Sequence, residues 1–131
     1  MIEGACHCGA VHWRFDGLPE WATACICTLC LRYGALWAYE FEGERIEVSG
    51  ATRVYSWGDR DIGFHFCGEC GCMVYWRGLK LREDGRRRMG FNLRLAAPDE
   101  VGQIQVEHLD GFDTWTMDAS RAARCVADMW F

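Results

Sequence analysis

Eight of the nine cysteines in this 131-residue chain lie in three short clusters. The clusters read Cys6-His7-Cys8, Cys25-Ile26-Cys27-Thr28-Leu29-Cys30 and Cys67-Gly68-Glu69-Cys70-Gly71-Cys72. Cysteines one or two residues apart would form strained disulfides, whereas their sulfurs can turn together toward one tetrahedral zinc ion. The chain is therefore predicted to be a zinc protein with enough sulfurs for two ions.

The first and third clusters together supply four sulfurs. Cys6 and Cys8 precede a predicted strand, while Cys67 and Cys70 form a C-x-x-C pair whose neighbouring glycines permit a tight turn. Four thiolates complete the tetrahedral shell of zinc and leave no position for water or substrate. We expect these four cysteines to form a structural site that joins the N-terminus to the middle of the chain.

The middle cluster offers only three sulfurs, from Cys25, Cys27 and Cys30. Zinc held by three protein ligands keeps a position for an outside ligand, which is the arrangement of catalytic zinc. The alternatives are a second structural zinc or a thiol cluster without metal. Cys72 bears on this choice, because it either reaches the second ion as a fourth ligand or packs as a small apolar side chain.

Alternation of apolar and polar residues predicts a mainly β fold. Val11, Trp13 and Phe15 alternate with polar neighbours, which is the periodicity of a strand. Further strand-like runs, separated by glycines, occupy residues 36–41, 46–48, 53–57, 64–66, 73–77, 89–95 and 104–109. The length suits one domain, residues 1–131, built of antiparallel hairpins.

The C-terminal tail is the exception to the β pattern. Small and apolar residues recur there at helical spacing, at Ala119, Ala122, Ala123, Val126 and Ala127. Asp118 is placed to cap the start of this segment. A short C-terminal helix is therefore predicted. Cys125 falls within it and has no neighbouring cysteine, so we expect an incidental thiol rather than a ligand.

Charge and hydropathy exclude some classes of partner. The net charge is −5 and the sequence pI is about 5.3, so no global field favours a nucleic acid. The N-terminus lacks the pattern of a signal peptide, and no apolar run approaches the ~20 residues that cross a bilayer. Because thiolates must stay reduced to hold metal, we expect a cytoplasmic protein that binds neither nucleic acid nor membrane.

The cysteine motifs, taken with their flanking residues, resemble a known family. The segments Gly4-Ala5-Cys6-His7-Cys8-Gly9-Ala10-Val11, Cys25-Ile26-Cys27-Thr28-Leu29-Cys30-Leu31-Arg32 and Phe66-Cys67-Gly68-Glu69-Cys70-Gly71 are similar to the glutathione-dependent formaldehyde-activating enzymes, a family that includes centromere protein V. The similarity spans residues 4–76 and, more loosely, the region from Asn92-Leu93-Arg94 to His108-Leu109-Asp110-Gly111.

The resemblance implies a small fold of several coiled β-sheets with two zincs. One zinc would be structural, on Cys6, Cys8, Cys67 and Cys70, and the other would lie on Cys25, Cys27 and Cys30. The implied activity is carbon–sulfur lyase chemistry on the adduct between an aldehyde and a small-molecule thiol such as glutathione. A zinc ion suits this chemistry because it lowers the pKa of a bound thiol.

Two positions depart from the family pattern. The middle motif often has histidine where this chain has Ile26, which removes a polar group that could assist proton transfer. Position 72, usually Ser or Thr, is cysteine here. If Cys72 closes the second site, a non-enzymatic module with two structural zincs that binds a protein partner becomes the better hypothesis. A third hypothesis is a thiol redox switch at Cys67 and Cys70, although the sequence lacks a thioredoxin-like context.

Other polar residues are weaker candidates. His65 directly precedes Phe66-Cys67 and either lines the second metal pocket as a proton shuttle or is a satisfied strand histidine. His7 lies between two ligands, and we expect it either to support those ligands from outside the metal shell or to be exposed, rather than to bind the metal itself. Arg32 and Arg94 are candidates for gripping a glutathione carboxylate.

Overall fold

The computed structural model describes residues 1–118 and 124–129. In chain order the elements are β1 (Ile2–Ala5), β2 (His12–Phe15), β3 (Trp21–Cys25), α1 (Thr28–Tyr33), β4 (Trp37–Phe41), β5 (Ile46–Ser49), β6 (Thr52–Tyr55), β7 (Ile62–Cys67), β8 (Met73–Gly78), β9 (Arg88–Asn92), α2 (Pro98–Val101), β10 (Gln105–Leu109) and β11 (Arg124–Cys125). Single 3-10 turns occupy Leu93–Leu95 and Val126–Met129. The prediction of a mainly β fold is confirmed.

The strands form two sheets. The smaller has the order β1-β2-β5 and is antiparallel throughout. The larger has the order β11-β10-β3-β4-β9-β8-β7-β6, and its pairs are antiparallel except for β10 and β3, which run parallel. That parallel pair departs from the prediction of antiparallel hairpins alone, and it brings the end of β10 beside the end of β3.

The sequence predicts a strand from the alternation around Trp13 and Phe15, and in the structure these two side chains of β2 pack against the larger sheet. Trp13 and Phe15 are 0% and 1% exposed. Both rings contact Phe91 of β9, with ring centroids 4.8 and 4.9 Å apart. Burying one such side chain contributes about 1.5–3 kcal/mol, so the chain has a substantial apolar core independent of metal.

Asn92, a buried residue at the end of β9, connects the segments that carry the cysteines. Its Oδ1 accepts hydrogen bonds from the Leu36 and Arg94 N–H groups, and its Nδ2 donates to the Met73 carbonyl. Leu36 precedes β4 and Met73 begins β8. A buried amide that satisfies three backbone groups fixes the relative position of these segments.

Two elements near the second cysteine cluster were not predicted. β3 carries no clear alternation, because residues 22 and 23 are both buried. α1 is only six residues long and is ended by Gly34 in the left-handed conformation, φ 63°. Both are defined by tertiary contacts rather than by a periodic sequence pattern.

The predicted C-terminal helix is described only in part. Residues 119–123, which include Ala119, Ala122 and Ala123, lie outside the described residues. The part that follows is not α-helical, since Arg124–Cys125 pairs with β10 and Val126–Met129 forms a 3-10 turn. The sequence pattern misled because Val126 is buried by a single turn rather than by a helical face.

Candidate functional site

The four cysteines of the first and third motifs meet at one point, which we call the four-sulfur cluster. The sulfurs of Cys6, Cys8, Cys67 and Cys70 all lie within 4.8 Å of one another. The Cys6–Cys8 and Cys8–Cys67 sulfur–sulfur distances are both 3.6 Å. A tetrahedron of thiolates about 2.3 Å from zinc has sulfur–sulfur edges of about 3.8 Å. The donor set and its spacing therefore fit zinc.

Two similar backbone turns present these sulfurs. The Gly9 N–H donates to the Cys6 carbonyl and the Gly71 N–H donates to the Cys67 carbonyl, both at 2.9 Å. Gly9 and Gly71 have φ of 80° and 79°, a conformation that favours glycine. Backbone N–H groups also point at sulfur, from Val11 to Cys6 at 3.3 Å and from Glu69 to Cys67 at 3.4 Å. Such donors stabilise thiolates.

The close packing of the sulfurs in the four-sulfur cluster shifts the pKa values of its cysteines in opposite directions. Backbone N–H groups of Cys72 and Cys8 lower the pKa of Cys70 to about 5. At Cys8 the Ala10 N–H favours the thiolate, yet the neighbouring sulfurs of Cys67 and Cys6 outweigh it and raise the pKa to about 12. Four thiolates this close repel one another, so a divalent cation is what lets all of them ionise together.

Cys25, Cys27 and Cys30 form a second group, the three-sulfur cluster, with sulfurs also within 4.8 Å of one another. Cys25 ends β3, Cys27 caps the N-terminus of α1, and Cys30 lies in its first turn. The Cys27 N–H donates to the Cys25 sulfur at 3.4 Å, and the Cys30 N–H donates to the Cys27 sulfur at 3.2 Å. The strand-to-helix turn thus points three sulfurs the same way.

The indole Nε1 of Trp37 donates to the Cys30 sulfur at 3.3 Å. A hydrogen bond from the Cys30 thiol, opposed by burial, lowers the pKa of Cys25 to about 6. The same pairing, together with burial, raises the pKa of Cys30. Without metal, the Cys25–Cys30 pair therefore shares one proton near neutral pH, and one of its sulfurs is a thiolate.

The three-sulfur cluster opens into a cavity of about 780 Å³. Aromatic side chains line much of this cavity; they are Trp37, Tyr39, Trp57, Phe64, Trp76 and Trp115. Charged side chains also line it, and we call these the charged rim: Asp59, Asp61, Lys80, Arg82 and Arg88. A large, mostly apolar cavity with a few charged groups around reactive sulfurs has the composition of a small-molecule site.

A loop after β10 closes one side of the three-sulfur cluster. Leu109 pairs with Cys25, and its carbonyl accepts a hydrogen bond from the Ile26 N–H at 3.2 Å. Gly111 then passes so close that a Cβ there would lie 2.6 Å from the Cys25 sulfur and 2.8 Å from Cys27 Cβ. Only glycine fits at this position without moving the cysteines.

Cys72 does not join the three-sulfur cluster, so the structure does not support the first of its two alternatives, a fourth ligand there. Cys72 instead lies beside the four-sulfur cluster, where its sulfur accepts a hydrogen bond from the His7 N–H and interacts with Cys70. It is half-buried against the main core. The alternative, a small side chain packed near Met73 and Val74, is the better description, because Cys72 packs against the apolar cluster that contains Val74 and not against the one that contains the three-sulfur cluster.

His65 is a satisfied strand histidine, not a residue of the cavity. Its Nδ1 is 2.8 Å from the Thr52 hydroxyl, and its ring stacks on Tyr75 with centroids 4.4 Å apart. Burial, reinforced by Arg77, lowers the pKa of His65 to about 4. The imidazole is therefore neutral at physiological pH, and the proton-shuttle hypothesis is not supported.

The two arginines proposed from the sequence lie elsewhere. Arg32 donates to the Thr28 carbonyl at 2.7 Å on the exposed side of α1, and Arg94 lies in the 3-10 turn after β9. Among the described residues, the cations that line the cavity are Lys80, Arg82 and Arg88. Because these residues lie near hairpin ends, no local sequence motif indicates their position at the cavity.

The remaining candidates, His7 and Cys125, lie apart from the cavity. His7 is exposed. The Cys125 sulfur is 3.6 Å from the Asp128 carboxylate and far along the chain from both clusters. None of the nine cysteines forms a disulfide. In the described part of the chain, no helix is long and apolar enough to traverse a bilayer.

The chain is similar to one protein family and to a solved structure. A family model described as glutathione-dependent formaldehyde-activating enzyme matches residues 1–104. No curated protein matches the chain. Among solved structures, the crystal structure of a Rhodobacter sphaeroides protein from a structural genomics programme is 28% identical, with a TM-score of 0.60. That match covers 78% of this chain and 96% of the other.

Proposed function

The chain belongs to the glutathione-dependent formaldehyde-activating enzyme family, and from that premise we propose that it is a cytoplasmic zinc-dependent carbon–sulfur lyase. Its substrate is the adduct of an aldehyde with a glutathione-like thiol. The observation that carries this proposal is the opening of a three-sulfur cluster into a cavity of about 780 Å³. We treat residues 1–131 as one zinc-binding domain.

The two clusters would hold different zincs. Cys6, Cys8, Cys67 and Cys70 would hold a structural ion, and Cys25, Cys27 and Cys30 would hold the ion used in the reaction. When bound, the second ion supplies a Lewis acid that lowers the pKa of the substrate thiol. The fit rests on a donor set made only of thiols, with backbone and indole N–H groups already directed at the sulfurs.

The reaction joins or separates a thiol and a carbonyl compound. In the forward direction the sulfur bonds to the carbonyl carbon, and the thiol proton ends on the carbonyl oxygen as a hydroxyl. In the reverse direction the carbon–sulfur bond breaks and the hydroxyl proton returns to sulfur. The chain must therefore hold one proton near the carbonyl oxygen in both directions.

Tyr39 is the residue best suited to hold that proton. It lies two residues after Trp37 on β4, so both side chains project from the same face of the sheet, and both line the cavity. Tyr39 as a whole is 38% exposed, but desolvation of its phenol, opposed by Thr23 and reinforced by the Cys25 and Cys30 sulfurs, raises its pKa to about 12. The phenol stays protonated at neutral pH and can donate to a developing alkoxide.

The charged rim suits a thiol such as glutathione, which carries two carboxylates and an ammonium group. Arg88 packs over the Trp76 ring, 5.3 Å from its centroid, and is our choice for a carboxylate contact. Lys80 is 3.5 Å from Asp61, and Arg82 is 3.6 Å from Asp84, so both cations have exchangeable acidic partners. Asp59 and Asp61 offer acceptors for the ammonium group.

The test combines two measurements on reduced, zinc-loaded protein. Native mass spectrometry is expected to show two zincs and one retained glutathione. Exchange of ¹³C-labelled formaldehyde with its glutathione adduct, followed by NMR, is expected to be faster with the protein than without it. Two zincs without retained glutathione, together with no acceleration of the adduct exchange, would favour a structural module that binds a protein partner.

Tyr39→Phe provides the matched variant. We expect exchange to slow by about 10–100-fold, the usual contribution of a positioned proton donor, while zinc content stays the same. Tyr55→Phe is the control, because Tyr55 lies on β6 and is not among the residues lining the cavity. Equal rates in the two variants would remove Tyr39 from the mechanism without affecting the metal assignment.

A further inference from the structure

We propose that the preferred aldehyde carries an aromatic or extended apolar body, which packs against Trp57 and Trp115 at the cavity that holds the three-sulfur cluster. This inference rests on the proposed lyase function and adds the substrate class. It is carried by the size of the cavity, by its surplus of apolar side chains and by the loop that presents Trp115.

The cavity is larger than a one-carbon substrate requires. Its volume of about 780 Å³ lies in the upper part of the ~300–1,000 Å³ range of sites for drug-sized ligands. Formaldehyde adds one carbon and one oxygen to the thiol, so it leaves the space needed almost unchanged. The remaining volume is available to a substituent on the carbonyl carbon.

The chemistry of the lining divides between polar and apolar groups. A glutathione-like thiol is polar over its whole length and matches the charged rim. Trp57, Leu81 and Trp115 are apolar and remain 36%, 58% and 57% exposed. Apolar surface gains about 25 cal/mol per Å² when a ligand covers it. The formaldehyde adduct has no apolar group that could cover these side chains, whereas the adduct of a larger aldehyde has one.

The loop carrying Trp115 is fixed to the three-sulfur cluster at its start. β10 runs parallel to β3, so its last residue, Leu109, pairs with Cys25, and Gly111 packs directly against the Cys25 sulfur. The family model ends at residue 104 and the looser resemblance ends at Gly111, so residues 112–115, with Trp115, lie beyond both. The loop is therefore a feature through which this chain can differ from the family in substrate.

Asp110 organises the loop internally. Its carboxylate accepts hydrogen bonds from the N–H groups of Phe112, Asp113 and Thr114 and from the Thr114 hydroxyl. Its backbone N–H donates to the Thr116 carbonyl at 2.9 Å, and its carbonyl accepts from the Trp115 N–H at 2.7 Å. The ends of the loop are thus tied together, and the position of Trp115 is fixed.

Trp115 itself has a backbone φ of 55°, a region that bulky residues rarely occupy. Such a conformation costs about 1–3 kcal/mol and persists only where surrounding contacts hold it. A glycine or asparagine would suit that backbone better, so stability does not explain the tryptophan. A large ring presented at the cavity does explain it.

The experiment compares two aldehydes with one thiol. Exchange of glutathione adducts of formaldehyde and of phenylacetaldehyde is followed by ¹³C NMR with zinc-loaded wild-type protein. We expect the wild type to accelerate phenylacetaldehyde exchange more, relative to the uncatalysed reaction. Trp115→Gly, which removes the ring and suits the left-handed backbone, is expected to lower that acceleration about tenfold and to change formaldehyde exchange less than twofold.

Two further variants separate a substrate contact from a folding effect. Phe112→Ala is the matched control, since Phe112 lies in the same loop, is 76% exposed and is not among the lining residues. Trp57→Ala tests the second ring independently and should also act selectively on phenylacetaldehyde. Equal losses for both aldehydes, or equal losses in Phe112→Ala and Trp115→Gly, would overturn the inference.

The failure of this inference differs from the failure of the proposed function. Acceleration of formaldehyde exchange alone, unchanged by Trp115→Gly, would leave the lyase in place and refute the apolar substrate. No acceleration with either aldehyde would refute the lyase and, with it, the substrate class.

Discussion

The two cysteine clusters have the same ligand chemistry but different surroundings. The four-sulfur cluster sits between two exposed turns, and its Cys8 is exposed to solvent. The three-sulfur cluster is buried, with each cysteine 9% exposed or less, yet it opens into the main cavity. The presence of cysteines alone does not distinguish a structural from a catalytic metal site. The number of sulfurs and their access to a cavity make that distinction.

The clusters also differ in how much chain they join. The four-sulfur cluster brings residues 6 and 8 together with residues 67 and 70, so it closes a loop of about sixty residues. The three-sulfur cluster lies within six consecutive residues, so it closes no long loop of the chain. Metal at the first site should therefore contribute mostly to stability, and metal at the second mostly to chemistry.

The largest expected effect comes from breaking the first cluster. Cys67→Ser removes a buried ligand, and because the binding free energy of structural zinc becomes folding free energy, we expect a loss of about 3–5 kcal/mol in unfolding free energy. Denaturant unfolding and zinc counting by native mass spectrometry measure the two consequences. Unchanged stability after loss of that zinc would contradict a structural role.

The second cluster should respond in the opposite way. Cys30→Ser is expected to abolish most adduct exchange, by about 100-fold or more, while lowering the unfolding free energy by no more than about 2 kcal/mol. The same denaturation and exchange assays apply, with Cys67→Ser measured beside it. If Cys30→Ser destabilised the protein as much as Cys67→Ser, the distinction between the clusters would fail.

Gly111→Ala tests the close approach of the loop to the three-sulfur cluster. The added methyl would meet the Cys25 sulfur at 2.6 Å, so we expect exchange to fall about tenfold and stability by about 1–3 kcal/mol. Gly68→Ala in the four-sulfur cluster is the control, because its methyl meets only the Arg53 side chain at 3.6 Å. Similar behaviour of the two variants would mean that the loop is free to move.

Cys72→Ser should have the smallest effect. Cys72 lies beside the four-sulfur cluster without being one of its four grouped sulfurs, so we expect two zincs, normal exchange and a change in stability below about 1 kcal/mol. Zinc content and thermal unfolding provide the test. Loss of the second zinc would restore the hypothesis of two closed structural sites.

The sequence predicted those features that depend on neighbouring residues. Alternation in Val11–Trp13–Phe15 depends only on the two-residue repeat of a strand, and these side chains are buried. The grouping of Cys25, Cys27 and Cys30 follows from a single turn of chain, so spacing alone indicated that their sulfurs meet. The β3 strand escaped prediction because its burial is set by both faces of the sheet and leaves no alternation.

What remained hidden depended on contacts between distant segments. The grouping of Cys6 and Cys8 with Cys67 and Cys70 could be proposed from the sequence, because zinc takes four ligands. The position of Cys72 could not be proposed, since a short turn can direct its sulfur toward either cluster. The cavity is assembled from β3, α1, β4, β7, β8, β9, β10 and the loops between them, and Tyr39, Arg88 and Trp115 carry no shared motif. The sequence by itself determined a mainly β chain with two groups of sulfurs that could hold metal. Only the tertiary structure decided which group faces a cavity, because the parallel pairing of β10 with β3 is a long-range choice that no local periodicity records.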